Sequence, residues 1–171
     1  MADIGKNIIW LVIIVVTAIV QSTWPDALKL QSVLPDLTLI LVVYFAITQG
    51  VERAMFTGLL GGIYQDVSSH DVLGHHVFCL VIVGYVTGRF ATRLVTEHPA
   101  IKMGLVFCAG VIHGALYTAI QYVQEPSVSV ATTLVASVVP AAFYTCLISP
   151  FVIMGLMWTF QRPRGLSSGV T

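Results

Sequence analysis

Six apolar stretches, separated by short polar breaks, fill nearly all of this 171-residue chain. They run approximately over 7–24, 34–50, 52–67, 72–91, 101–123 and 130–160. A helix needs about 20 mostly apolar residues to cross the ~30 Å hydrocarbon core of a bilayer. Backbone polar groups in lipid must also be satisfied within the chain, which leaves helices as the natural spanning element for such runs. Only 9% of residues are charged, against about a quarter in a soluble domain. The pattern therefore predicts an all-α polytopic membrane protein. Six transmembrane helices form a single integral membrane domain over 1–171.

The last stretch, Val128 to Phe160, is too long for one straight span, and Pro140 and Pro150 interrupt it. It reads as one kinked helix, or as an interfacial segment followed by a span. Lysine and arginine set the orientation. With the N-terminus in the cytoplasm, Lys6, Arg53, Arg89, Arg93, Lys102, Arg162 and Arg164 fall on the inner side and only Lys29 on the outer. That asymmetry across short loops is the positive-inside signature and predicts that both termini are cytoplasmic. No small-x-small cleavage site follows the first span; Trp24-Pro25 reads as an interfacial stop, so it is expected to stay as a helix. Cys79, Cys108 and Cys146 all lie inside predicted spans and read as small buried hydrophobes. Net charge is zero, so nothing points to nucleic acid.

The third segment departs most from lipid filling. Gly58, Gly62 and Asp66 are spaced by four and share one helix face, with Gly61 beside it. Small residues at that spacing let two helix backbones approach closely, which drives packing where lipid offers no hydrophobic force between helices. The face either packs inside the bundle or docks a helix of another protein. Asp66 at a helix C-terminus would oppose the helix dipole, so it needs donors. It is expected to tie together the turn before the fourth span by accepting backbone N–H bonds, although an intramembrane acid also invites a relay or ligand role.

His70, His75 and His76 with Asp66 and Asp71 suggest a metal, but adjacent histidines on a helix diverge by about 100° and the i, i+4 ligand spacing is absent, so no metal site is assigned. His113, beside Gly110 and Gly114, is expected to face the bundle interior. Pro35 and Asp36 open the second span at the outer membrane–water boundary, where proline and an acid suit a helix N-terminus. Asp36, Pro35, His75 and His76 thus form an outer polar group. No serine, histidine and acid fall in a recognisable catalytic order and no glycine loop precedes a helix for phosphate. The chain is not expected to be an enzyme or to hold a cofactor.

Taken together, Pro35-Asp36-Leu37 opening the second span, Gly58, Gly62 and Asp66 at fours, and Leu73-Gly74 beyond the acid resemble the family of rod shape-determining protein MreD. The resemblance covers the whole chain in length and segment layout. One departure is the turn after the acid, Ser69-His70-Asp71, where family members often carry glycine. The resemblance implies a non-enzymatic scaffold of the bacterial inner membrane that binds MreC. It also implies a larger assembly with MreB, RodA and a class B penicillin-binding protein that organises lateral peptidoglycan synthesis. It implies, too, a bundle similar to the substrate-binding subunits of energy-coupling-factor transporters. On this reading Gly58, Gly61, Gly62, Asp66 and Gly74 form the packing or partner face. The inner residues Arg89, Arg93 and Lys102 either serve topology alone or meet anionic lipid or a cytoplasmic partner. The alternative is a small-molecule-binding membrane subunit of a vitamin-type transporter, with an outward cavity near Asp36, Tyr64, His75 and His76.

Overall fold

The computed structural model describes residues 2–23, 34–69, 74–91, 98–124 and 130–160. The helices are α1 (Ala2–Ser22), α2 (Leu37–Thr48), α3 (Val51–Ser69), α4 (His75–Ala91), α5 (Pro99–Gln124), α6 (Val130–Thr133) and α7 (Val139–Phe160). A π-helical turn, Leu134–Val138, joins α6 to α7 without a break, so the described residues form six rods and no strand. Arg93, Leu73, Trp24, Lys29, His70 and Asp71 lie outside the described residues.

Helix α2 sits at the centre. Every residue from Leu37 to Ala46 is buried, and α1, α3, α4, α5 and α7 all pack against it. Its sequence LTLILVVYFAIT has no polar stripe, and a helix that is apolar all round belongs in a core. Phe45, Ile40 and Val43 pack with Ile14, Ala54, Leu80, Val106 and Ile153 in one cluster. Outside, the large apolar side chains of α1 and α7, such as Val12, Val16, Phe143, Phe151 and Trp158, are exposed. That inside-out distribution is the one a bilayer stabilises.

By length and apolar composition, two helices are sufficient to cross a membrane, Pro99–Gln124 and Val130–Thr159. Asn7–Gln21, Leu37–Thr48 and His75–Ala91 are shorter apolar helices. At 1.5 Å per residue, α2 covers only about 18 Å, well short of the expected stretch 34–50. The reason is at its ends. Residues 34–36 lie outside the helix, and the extended Asp36 caps it, its side chain accepting from Leu39 N–H at 3.0 Å. At the other end Gly50, with φ +90°, turns the chain directly into α3, a conformation glycine adopts without steric cost. By contrast, α1 extends past its apolar run to Ala2.

Two prolines shape the last rod. Proline lacks an N–H and its ring presses on the preceding turn. Ahead of Pro140 the helix widens into the π turn, closed by Val139 N–H to the Leu134 carbonyl. Pro150 lies inside α7 and cannot donate to the Cys146 carbonyl four residues back. Ser149 Oγ donates to that carbonyl instead, at 2.7 Å. The long stretch is therefore one continuous, locally adjusted rod. Ser149→Ala is expected to cost about 1 kcal/mol, or about 2–4 °C of melting temperature for a chain of this size. An unchanged melting curve would show that the serine does not replace the missing bond.

The α3–α4 pair is antiparallel and packed backbone to backbone. A Cβ built at Gly58 would lie 2.7 Å from the Leu80 carbonyl oxygen, and one at Gly62 2.5 Å from Val77 Cα. Gly84 meets Ala54 and Gly88 meets Val51 in the same way from the α4 side. Gly61 instead faces the Thr38 side chain on α2. The glycine face of α3 is thus occupied by α4 and α2 of the same chain, and Gly58, Gly61 and Gly62 are all buried.

Candidate functional site

The tight α3–α4 approach brings the end of α3 beside the start of α4, where helix N–H groups have no partner within their own helix. Asp66 fills that need. Its Oδ2 accepts from Gly74 N–H at 2.8 Å and Val77 N–H at 3.4 Å, and its Oδ1 from His76 N–H at 2.8 Å. His76 Nδ1 also lies 3.0 Å from Oδ1. The carboxylate therefore caps α4 from a neighbouring helix, and the positive end of the α4 dipole stabilises it. Gly74, at φ +107°, bends the backbone so that its N–H points back at the acid.

A second polar group forms at the start of α2. Asp36 Oδ1 accepts from Leu39 N–H and from Gln65 Nε2 at 2.9 Å. Asp36 N–H donates to Thr145 Oγ1 on α7 at 3.1 Å, while Gln21 Oε1 on α1 accepts from Thr38 N–H and Oγ1 at 3.2 and 3.0 Å. Four rods thus share the work of satisfying one buried helix end. On the far side, His113 Nδ1 of α5 lies 3.8 Å from Asp36 Oδ2, too far for a hydrogen bond.

The two groups meet. The rings of His76 and His113 are 6.0 Å apart, and His76 lies 4.8 Å from the Tyr117 ring. His113 sits about 16 Å along α5 from its C-terminal end at Gln124, at 1.5 Å per residue. Asp36 is therefore level with the middle of the long α5, and also with Gln21 at the end of α1, Gln65 about one turn from the end of α3 and, across His113, His76 in the first turn of α4. His76 points inward and Pro35 is buried, whereas His75 turns to the bundle end, 2.8 Å from Gln124 Nε2. Arg89 and Lys102 lie at the opposite end, in the last turn of α4 and the first turn of α5.

Two chambers flank this junction and share Asp36, His76 and His113 in their walls. One, of about 360 Å³, continues between α5 and the last rod past Tyr117, Thr118 and Ser137. The other, of about 490 Å³, lies toward α1 and α3 beside Gln21, Tyr64 and Ser69. Two buried polar atoms here, Gln65 Oε1 and His113 Nε2, have no partner among the described residues. Spacing along the sequence marks the Asp66 face, but it does not join Asp36 to Gln65, His113 or Thr145, which are distant in the chain. The only sequence sign of His113 is a polar residue flanked by glycines in an apolar span.

Comparison with known proteins adds one finding. A family model described as rod shape-determining protein MreD matches residues 1–163. No curated protein and no solved structure matches the chain.

Proposed function

Because the chain belongs to the rod shape-determining protein MreD family, and so has a role in setting rod shape, we propose that it is a non-enzymatic scaffold of the cell-elongation machinery. On this proposal it is a multi-pass protein of the bacterial inner membrane with six spans and both termini in the cytoplasm. Its bundle is similar to that of energy-coupling-factor substrate-binding subunits. It binds MreC, and through MreC joins MreB, RodA and a class B penicillin-binding protein to organise lateral peptidoglycan synthesis.

The observation that carries the reading is the family match across residues 1–163. The fold is compatible with it. Nearly all the described mass is in packed helices, and a protein of that build acts by presenting lateral surface to other membrane helices. The glycine face is taken up by α4 and α2, so a partner helix must meet an outward face instead. The basic residues Arg89 and Lys102, with Arg93 between them in sequence, are proposed to face the cytoplasm and its anionic lipid.

The test is purification of the tagged protein from its own membrane in mild detergent, with identification of what accompanies it. A near-stoichiometric protein with one transmembrane helix and a periplasmic domain is the expected companion. Recovery of an ATPase pair with a coupling subunit would overturn the scaffold reading in favour of transport.

A further inference from the structure

We propose that the junction of the two chambers is a binding site for a primary ammonium group, held by Asp36 with an apolar tail in the chamber beside Tyr117. This site is independent of the scaffold reading and is argued from charge, space and polarity.

Space comes first. Chambers of about 360 and 490 Å³ are in the range of small-molecule pockets, and the groups they share are reachable. The side chains of Asp36 and His113 keep 19% and 15% of their surface exposed, and that of His76 keeps 17%. Charge comes second. Neither chamber has a lysine or arginine among its described lining residues. The α2 N-terminus offsets about half a charge on Asp36. His113 is too distant to hydrogen-bond the carboxylate, and if protonated it would bury an N–H at Nε2 with no partner. A neutral ring with its proton on Nδ1, toward Asp36, leaves Nε2 as a bare acceptor.

Polarity points the same way. Gln65 is oriented by donating Nε2 to Asp36 Oδ1, which leaves Oε1 as a second buried, unpartnered acceptor. Both atoms are closed off from the chambers, so they act on an occupant through their partial charge, which low dielectric strengthens. A carboxylate backed by the partial negative charge of two such atoms favours a cation over a neutral or anionic occupant, and its exposed oxygens can accept from an ammonium. The ring of Tyr117 adds a π face that attracts such a cation. The wall beyond, with Leu39, Val138 and Ala142, is apolar and suits a short hydrocarbon tail.

The test uses the full chain in detergent, with butylammonium and 1-butanol as matched probes. Butylammonium at about a hundredfold excess over its Kd is expected to raise the melting temperature by about 5–10 °C, and butanol to have little effect. Asp36→Asn, which preserves the helix cap, is expected to abolish the difference. Ser137→Trp, at the exposed chamber rim, should do so without touching the acid, and keeps the test decisive should Asp36→Asn fail to fold. Equal responses to amine and alcohol, no response to either, or an undiminished response in a folded variant would overturn the proposal. Repeating the measurement in phosphatidylglycerol and phosphatidylethanolamine nanodiscs identifies the source of the ammonium. A lipid headgroup source raises the melting temperature in phosphatidylethanolamine before any amine is added. A free amine gives the same response in both.

Discussion

Asp66→Ala is expected to lower the melting temperature of the purified protein by about 10 °C, the largest effect of any polar substitution in the bundle. The carboxylate is 1% exposed and accepts three backbone N–H bonds and a histidine contact. Alanine leaves Gly74, His76 and Val77 N–H without their acceptor in a place water does not readily replace it. Each orphaned buried donor costs about 1–3 kcal/mol. Because the bonds share one cap, the losses do not simply add, and about 3–5 kcal/mol is the expected total. At about 2–4 °C per kcal/mol for this chain length, the shift is easily read by differential scanning fluorimetry. Asp66→Asn keeps one acceptor oxygen but turns an amide donor toward N–H groups, so it should recover only part of the loss. A melting temperature unchanged in Asp66→Ala would mean that α4 needs no cap from α3.

Gly62→Leu is expected to remove the folded protein altogether, seen as loss of the monodisperse peak in size-exclusion chromatography. The first added carbon already lies 2.5 Å from Val77 Cα and 2.7 Å from Val77 N. Those are backbone atoms and cannot rotate aside. Overpacking a core typically costs about 1–3 kcal/mol, but here the displaced segment also carries two of the N–H groups bonded by Asp66. Pushing α4 outward breaks the cap as well. Gly62→Ala should give a folded but less stable protein. The control is Gly104→Leu, where an added Cβ meets nothing within 4 Å. If the two leucine variants were equally stable, the α3–α4 approach would not hold the bundle together.

The local part of this architecture was legible in the residues. Asp66 and its glycines stand at helical spacing, and a carboxylate before a turn needs donors, so backbone N–H bonds tying that turn together were the expectation; that the donors are the first N–H groups of α4 was not read. The spacing could not choose between an internal and an external neighbour for Gly58 and Gly62. That choice depends on Gly84 and Gly88 on α4, small residues whose register against α3 is a tertiary matter. The partners of Asp36 were not legible either. Pro35-Asp36 before an apolar run reads the same whether the helix start faces solvent or is enclosed by other helices. Only the neighbours Gln65, His113 and Thr145 decide it. The last rod was ambiguous for a similar reason, because the sequence shows two prolines but not that a π turn and Ser149 absorb them.

The burial of α2 on every side bears on how the protein is made. About 18 Å of helix cannot by itself bridge ~30 Å of hydrocarbon, so a newly made α2 is poorly matched to lipid. Its starting N–H groups draw on Gln21, which is synthesised before it, and on Thr145, which emerges 109 residues after Asp36. The centre of the bundle is therefore incomplete without its most distant piece of chain, and the C-terminal rod acts as the closing stave around α2.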